Sequence, residues 1–378
     1  MESRPHLRRG RFALAVTIST ALVLSAPFIG FVRAWIRTTF PGQFVRIIGT
    51  AIGVLAIVAV VSAALRIRTH RLLRYGAIAA ALGIAVSYSL GEATGNPDVD
   101  VVQRFHFVEY GIITFLFYRA WRPLEDSAIL VLPVLAGLLV GTADEWLQWF
   151  IPNRVGEIAD VLLNGIAIGC GMLFSLGADP PASFSRRMRP GSPSRIGRLA
   201  SVTILAIALF LQIVHLGYDI RDDEAGTFKS RWSKSDLEQL RTAKRDEWRT
   251  HPPPLVLQRV SREDQYLTEG ITHVQKRNEL LKANDPRSAW KENLILEKYF
   301  ALVLDTPSYW SPTGHRWSAE QRQSIQALVP GGDPTYVSQA NPYPIYAWSR
   351  TGFWLVSIGL AAIVWAGARA IDRLTGVT

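Results

Sequence analysis

The sequence predicts an all-α integral membrane protein of about eight transmembrane helices, with a small, mainly α-helical extracytoplasmic domain inserted before the last helix. Apolar residues make up 49% of the 378 residues and are grouped in runs rather than spread along the chain. A run of about 20 apolar residues spans the ~30 Å bilayer core. Backbone groups in lipid must be satisfied within the segment, so each run is predicted to be a helix. The runs are 11–32, 44–65, 72–90, 101–120, 126–150, 158–176, 199–216 and 351–370.

The first run, 11–32, could instead be a cleaved signal peptide, because arginines precede and open it. Its apolar part is about twice the usual signal core, and no clear small-x-small cleavage site follows. We therefore expect it to be retained as the first spanning helix.

Arginine predicts the orientation, because short cytoplasmic loops are enriched in basic residues. With the N-terminus inside, the cytoplasmic segments hold 17 arginines, whereas the short outer connections hold four, with Arg46 just inside the second helix. Both termini are then cytoplasmic and 218–350 lies outside. That segment has 19 basic and 18 acidic residues, so +9 of the net charge of +10 comes from the membrane part. This positive charge indicates the orientation in the membrane and contact with anionic lipid. The sequence contains no recognition motif for nucleic acid.

This topology divides the chain into five regions. The first three helices lie in 1–90 and helices four to six in 91–177. A cytoplasmic Arg-rich loop and helix seven occupy 178–217, the outer domain 218–350, and the last helix with a cytoplasmic tail 351–378.

Capping-box patterns are expected to open three helices of the outer domain, since a Ser with an acid or amide three residues later satisfies the first backbone donors. Breakers such as HPPP at 251–254 and PGGDP at 330–334 separate the helical runs. The patterns are Ser235-x-x-Glu238, Ser261-x-x-Asp264 and Ser318-x-x-Gln321.

The outer domain also contains His251, His273 and His315, whose spacing does not match a metal site. We expect each to be structural or on the surface. The stretch TPSYWSPTGHRW, from 306 to 317, could bind carbohydrate, lie at the lipid interface or form core. We predict a partner- or ligand-binding module.

The single cysteine, Cys170, lies within a spanning helix, so no internal disulfide is predicted. Gly165 and Gly169 on the same helix form a small-xxx-small pattern, which favours close approach of a neighbouring helix.

Polar residues concentrate where the fourth, fifth and sixth helices meet the outer face. Ionisable groups in spanning helices are costly and usually face a bundle interior or wet cavity. A single such group would be explained by a helix end, where charge reaches water and the dipole favours carboxylates. Their convergence from several helices predicts a functional site. The group comprises Glu92, His106, Glu109, Tyr110, Asp144, Glu145, Gln148, Arg154, Glu157, Asp160 and Asn164.

These residues also form a known pattern. HFVEYG, followed after about 35 residues by DEWLQWFIPNRVGEIADVLLNGIAIGCG, resembles the VanZ-like family of bacterial membrane proteins. The resemblance covers about 92–176. Its matching positions are His106, Phe107, Tyr110, Asp144, Glu145, Gln148, Phe150, Pro152, Arg154, Asp160, Asn164 and an offset glycine, Gly165 or Gly169.

The resemblance implies a bacterial cell-envelope protein in the inner membrane, named after a member linked to teicoplanin resistance, without implying a reaction. One position departs from the pattern. The family would place an Asp one turn before the His, where this chain has Val102, with Asp100 nearest.

Three interpretations of the site remain. The favoured one is recognition of an amphiphile such as a membrane lipid, lipid-linked sugar or lipoglycopeptide, with Arg154 pairing with a phosphate. The ligand-binding residues would be Tyr110, Asp144, Glu145, Gln148, Arg154, Asp160 and Asn164.

The second interpretation is an intramembrane enzyme acting on a lipid-linked phosphate or sugar, with His106 and Glu109 as candidate catalytic residues. A divalent ion could be held by Glu109, Asp144, Glu145 and Asp160, a set that suits Mg, Mn or Ca. No cofactor is firmly implied. The third interpretation is a purely structural polar layer that locks the helices together.

Overall fold

The computed structural model describes residues 9–151, 156–251, 253, 262–308, 311–329 and 335–375, and most of them are helical. The chain forms two compact units. The first unit comprises Met1–Gln148, Ile158–Phe210 and Trp354–Thr378, and the second comprises Trp149–Glu157 and Leu211–Phe353.

The first unit is a bundle of long helices. In chain order they are α1 Arg9–Thr39, α2 Phe44–Arg66, α3 Arg71–Gly91, α4 Pro97–Trp121, α5 Ala128–Trp149, α6 Ile158–Ala178, α7 Ser192–Val214 and α13 Arg350–Thr375. Among the described residues, seven helices are long and apolar enough to cross a membrane, namely α1, α2, α3, α5, α6, α7 and α13. The protein is therefore a multi-pass membrane protein.

The eighth predicted span, 101–120, is helical as α4 but is not among those seven helices. Its packing explains why it is more polar, because α4 contacts α1, α2, α3 and α6 and so exposes little surface to lipid. Asn96 caps its N-terminus by accepting from the Asp98 amide, with Pro97 in the first turn. Whether α4 crosses the membrane, and hence the count of eight, stays a prediction.

Two glycines face each other where α4 and α6 cross. A Cβ added at Gly171 would lie 2.9 Å from the Gly111 Cα and 3.1 Å from the Thr114 Cβ, so the helices touch by backbone there. The predicted contact at Gly169 is wrong, because nothing lies within 4 Å of a Cβ built on that residue. Gly165 makes one ordinary contact, 3.5 Å from Leu138.

Arginines bind the carbonyl end of α6. The Arg74 guanidinium donates to the Gly177 and Ala178 carbonyls at 2.8 and 2.9 Å, and Arg122 donates to the Pro180 carbonyl. Basic side chains suit this position because the last carbonyls of a helix lack intrahelical donors. Some of the arginines that predict orientation therefore also fix helix ends.

The second unit surrounds its own apolar core with short helices and a small sheet. The helices are α8 Lys234–Thr250, α9 Arg262–Lys282, α10 Pro286–Tyr299, α11 Ala301–Asp305 and α12 Ala319–Ala327. The core includes Phe228, Tyr266, Ile295, Phe300 and Val303, all essentially without exposed surface. The mainly helical character matches the prediction, whereas the extracytoplasmic location is not tested by this fold.

The prediction contained no strands, and the sheet is the main difference. Strands β1 Leu216–Asp222 and β2 Gly226–Ser230 form an antiparallel hairpin, and β3 Tyr346–Ala347 joins β1 in parallel. Gly226 closes the turn at φ 89°, and a Cβ there would lie 2.4 Å from the Tyr336 carbonyl oxygen. Only glycine fits this position.

One predicted helix cap is wrong. The N-cap of α8 is Ser233, whose hydroxyl accepts from the Asp236 amide while the Asp236 carboxylate accepts from the Ser233 amide. Ser235 lies inside the helix instead. The Ser318 cap of α12 is confirmed, and Ser261 lies outside the described residues.

Candidate functional site

The site begins on α4 with His106 and Tyr110, one turn apart. Their rings stack with centroids 6.0 Å apart and planes at 5°. Tyr110 has no exposed surface, whereas His106 and Glu109 are half-buried. The Thr114 hydroxyl donates to the Tyr110 carbonyl at 2.7 Å and so adds no polar group to this face.

Helix α5 supplies two carboxylates and an amide. The Gln148 amide donates to Asp144 Oδ2 at 2.9 Å and to Glu145 Oε1 at 3.2 Å. The Tyr110 hydroxyl donates to the same Asp144 oxygen at 3.1 Å, which joins α4 to α5. Asp144, Glu145 and Gln148 are all buried, Glu145 completely. Their close grouping was the central prediction from the sequence.

Helix α6 adds Asn164, which is completely buried. Its Oδ1 lies 2.8 Å from His106 Nδ1, which joins α6 to α4. Its Nδ2 is buried and has no hydrogen-bond partner among the described residues. Gly141 of α5 makes room for this amide, because a Cβ there would lie 3.2 Å from Nδ2 and 3.3 Å from a Tyr110 ring carbon.

We call Tyr110, His106, Asp144, Glu145, Gln148 and Asn164 the polar cluster. An amide oxygen can only accept, so as placed His106 Nδ1 carries a proton. The cluster therefore combines two carboxylates, two amides, a phenol and an imidazole in a largely buried layer.

Asp160, one turn before Asn164 on α6, lines a small cavity of about 90 Å³. The wall also includes Glu92, Arg104 and Tyr88. Asp100 lines the same cavity but accepts from the Thr94 amide and hydroxyl at 2.8 and 2.7 Å, so it holds the loop before α4.

Val102 stands where the family pattern would place an Asp. Its side chain packs against an apolar cluster that includes Ile36 and Phe44. A carboxylate is therefore missing from this position of the site.

The described residues contain no group of three or more His, Cys, Asp or Glu arranged to hold a metal ion. Accordingly, Glu109, Asp144, Glu145 and Asp160 do not form such a group in the part of the chain that the structure describes. Arg154 lies outside the described residues, and so does Pro152. Glu157 is half-buried just before α6.

Sequence reasoning missed a second buried polar group, on the facing sides of α9 and α10. His273 Nδ1 lies 2.6 Å from Glu292 Oε2, and both side chains are essentially without exposed surface. Arg277, one turn further along α9, donates to Asn293 and to the His315 carbonyl. The signal was present, because Glu269, His273 and Arg277 follow i, i+4, i+8 spacing on one helix face.

Histidines of the second unit thus have the structural role predicted for them where the structure describes their contacts. His273 is paired with Glu292, and His315 is buried beside Arg277. Burial and the Arg277 charge lower the pKa of His315. Of the aromatic stretch, residues 309–310 lie outside the described residues, and Trp317 packs against Trp290 in a small core.

Comparison with known proteins gives one match. A family model described as VanZ/LLP1 matches residues 70–177, a region that contains the whole polar cluster. No curated protein and no solved structure matches the chain. The match confirms the resemblance predicted from the HFVEYG and DEWLQWF motifs, and residues 70–177 are thus similar to the VanZ-like family.

Proposed function

We propose that the polar cluster binds the headgroup of an amphiphilic component of the bacterial cell envelope, such as a lipid-linked sugar or a lipoglycopeptide. One observation carries the proposal, namely the buried Asn164 Nδ2 that has no partner among the described residues. It lies in a layer that also buries the carboxylates of Asp144 and Glu145. Buried donors are normally paired, and intramembrane ionisable groups usually mark a binding site or pathway.

The chemistry of the cluster suits a polyhydroxylated or cationic headgroup. Carboxylates accept from hydroxyl and ammonium groups, and the Asn164 amide donates to a hydroxyl or carbonyl oxygen. Arg154, by its place in the motif, would pair with a phosphate on the same ligand.

The orientation of the arginines supports a site on the outer face of the inner membrane, with both termini in the cytoplasm and 218–350 outside. Labelling of single cysteines introduced into a Cys170→Ser background tests this topology. A cysteine at Arg187 should react only from the cytoplasmic side, and a cysteine at Arg245 only from the outer side.

The binding proposal is tested by mass spectrometry of lipids retained by the purified full-length protein. Asn164→Leu and Asp144→Asn should lose a retained component that the wild type keeps. Ser201→Ala is the matched control, because the Ser201 hydroxyl donates to the Ala361 carbonyl in another helix pair of the same unit. If the wild type and both site variants retain the same lipids, the proposal is wrong.

Two observations favour a structural role as the second candidate. The bonds His106–Asn164 and Tyr110–Asp144 each join two helices. Interhelical polar contacts in membranes average about 0.6 kcal/mol. A purely structural cluster therefore predicts that Tyr110→Phe lowers thermal stability slightly and leaves retained lipid unchanged.

Catalysis is the third candidate, and the His106 tautomer is the observation in its favour. With Nδ1 donating to Asn164, Nε2 could accept a proton from a substrate hydroxyl. Turnover of a lipid-linked phosphate or sugar that His106→Gln abolishes, with lipid binding intact, would replace the binding proposal by an enzymatic one.

A further inference from the structure

Arg231 of the second unit is a half-buried cation that immediately follows β2. Its guanidinium carbon lies 5.3 Å from the centroid of the Trp149 indole. Two of its nitrogens, Nε and Nη1, are buried and have no hydrogen-bond partner among the described residues. Arginine stays charged in proteins, so these are charged donors held out of water.

The Trp149 indole explains how the guanidinium is held without a hydrogen-bond acceptor. A cation–π contact attracts the positive charge to the face of the ring. Trp149 is itself supported by Tyr343, whose ring meets it edge-on at 4.8 Å. Among the described residues, the guanidinium is therefore held by aromatic contact.

No ion pair of Arg231 is found among the described residues, and the neighbouring Glu269 bonds its backbone amide rather than its guanidinium. Glu269 is completely buried, and its oxygens accept from the Ser230 hydroxyl at 2.5 Å and from the Arg231 backbone amide at 3.1 Å. Burial raises the pKa of Glu269, although the Arg231 charge acts to lower it. His215 Nδ1 donates to the Pro344 carbonyl at 2.7 Å, and burial lowers the pKa of His215.

We propose that Arg231, held over Trp149, binds a phosphate group, either free or carried by a lipid headgroup. A phosphate oxygen pair matches an edge of the planar guanidinium, either Nε with Nη2 or Nη1 with Nη2, and each edge includes one of the two buried nitrogens. Charged donors buried without a protein partner are the arrangement that such an anion would complete. The site uses residues of the second unit, with Trp149 as the last residue of α5, and none of the polar cluster, so it goes beyond the headgroup site proposed above.

Two probes test the site on full-length protein in a non-ionic detergent. Equilibrium dialysis measures binding of inorganic phosphate. Native mass spectrometry compares retention of phosphatidic acid with that of diacylglycerol, a pair that differs only in the phosphate. Phosphate binding without lipid preference would identify a free phosphate as the ligand, and retention of phosphatidic acid alone would identify a headgroup.

Arg231→Gln should weaken binding at least about tenfold, or ~1.4 kcal/mol. The contact with Glu269 should survive, because it uses the backbone amide of Arg231. Arg231→Lys keeps the charge and loses the fork, so its affinity for phosphate should lie between those of the wild type and Arg231→Gln. Arg245→Gln is the matched control, since Arg245 is exposed on α8.

The proposal is overturned if the wild type takes up neither inorganic phosphate nor phosphatidic acid over diacylglycerol. It is equally overturned if Arg231→Gln binds as tightly as the wild type. Should Arg231→Gln fail to fold, Arg231→Lys decides the matter, and an affinity equal to that of the wild type refutes the role of the guanidinium fork.

Discussion

The buried carboxylate of Glu292 should be one of the strongest polar contributions to the stability of the second unit. It has no exposed surface and accepts three hydrogen bonds. His273 Nδ1 lies 2.6 Å from Oε2, and the hydroxyls of Tyr336 and Ser338 donate to Oε1 at 2.5 and 2.6 Å. Glu292 thus connects α10 to α9 and to the segment that precedes β3.

The cost of Glu292→Leu follows from the donors it leaves behind. An unsatisfied buried donor costs about 1–3 kcal/mol, and the two hydroxyls can rotate, so each should cost about 1 kcal/mol. Loss of the buried partner of His273 adds about 2 kcal/mol, within the range for a buried donor left unsatisfied. We expect a total of about 4 kcal/mol. Glu292→Gln keeps one acceptor oxygen for both hydroxyls and should cost about 1 kcal/mol.

Urea-dependent pulse proteolysis of the full-length protein measures these differences in the second unit. The reasoning is refuted if the free energy of unfolding of Glu292→Leu lies within about 1 kcal/mol of the wild-type value. It is also refuted if Glu292→Leu is at least as stable as Glu292→Gln.

The same contacts predict a pH dependence. Although burial alone would raise it, the pKa of Glu292 is lowered overall by His273, Ser338 and Tyr336. The contribution of Glu292 to the free energy of unfolding is therefore complete above its pKa in the unfolded chain, about 4.3. It is lost as the pH falls through the lower pKa that Glu292 has in the folded protein. Glu292→Gln should reduce the loss of stability over that acidic range.

Three further changes probe the packing and the sheet. Ser233→Ala should destabilise α8 by about 1 kcal/mol, whereas Ser235→Ala should cost less than half as much in the same proteolysis assay. Gly171→Ala should lower the stability of the helix bundle by about 1–3 kcal/mol, because its Cβ would overlap the α4 backbone. Gly169→Ala, where a Cβ has open space, should leave the thermal midpoint unchanged. Asp222→Asn should remove stability that the wild type shows at neutral pH and loses below about pH 4. The reason is that hydrogen bonds from a lysine and a tyrosine of α10 outweigh burial and lower the Asp222 pKa. An acid titration of unfolding that is identical in both proteins would contradict this prediction.

The long helices were predictable because their signal is local. Apolar runs and the polar residues at their ends are visible in windows of about 20 residues. The same is true of the polar cluster, because His106 and Tyr110 lie one turn apart, as do Asp144 and Gln148. What the spacing could not give is which donor meets which acceptor between helices, since this depends on how the helices pack.

The sheet escaped prediction for the opposite reason. β3 is two residues long and pairs with β1 across about 130 positions of chain, through Leu216 with Tyr346. No local pattern marks such a pairing. The α8 cap escaped because Ser233 and Ser235 each precede an acid by three residues, so the pattern fits both. Only the first helical residue, Lys234, decides between them.

The two buried polar groups differ in a way that bears on function. Both oxygens of Glu292 are bonded, and its contacts join elements of one core. A fully bonded network of this kind is explained by stability and specificity of packing. In the polar cluster, by contrast, Asn164 keeps a buried amide donor without a partner among the described residues. Locking α4 to α6 requires only its carbonyl oxygen, which His106 already uses. The second donor of the same amide is what the interhelical contact does not use. A ligand with an acceptor oxygen, as proposed above, would pair it.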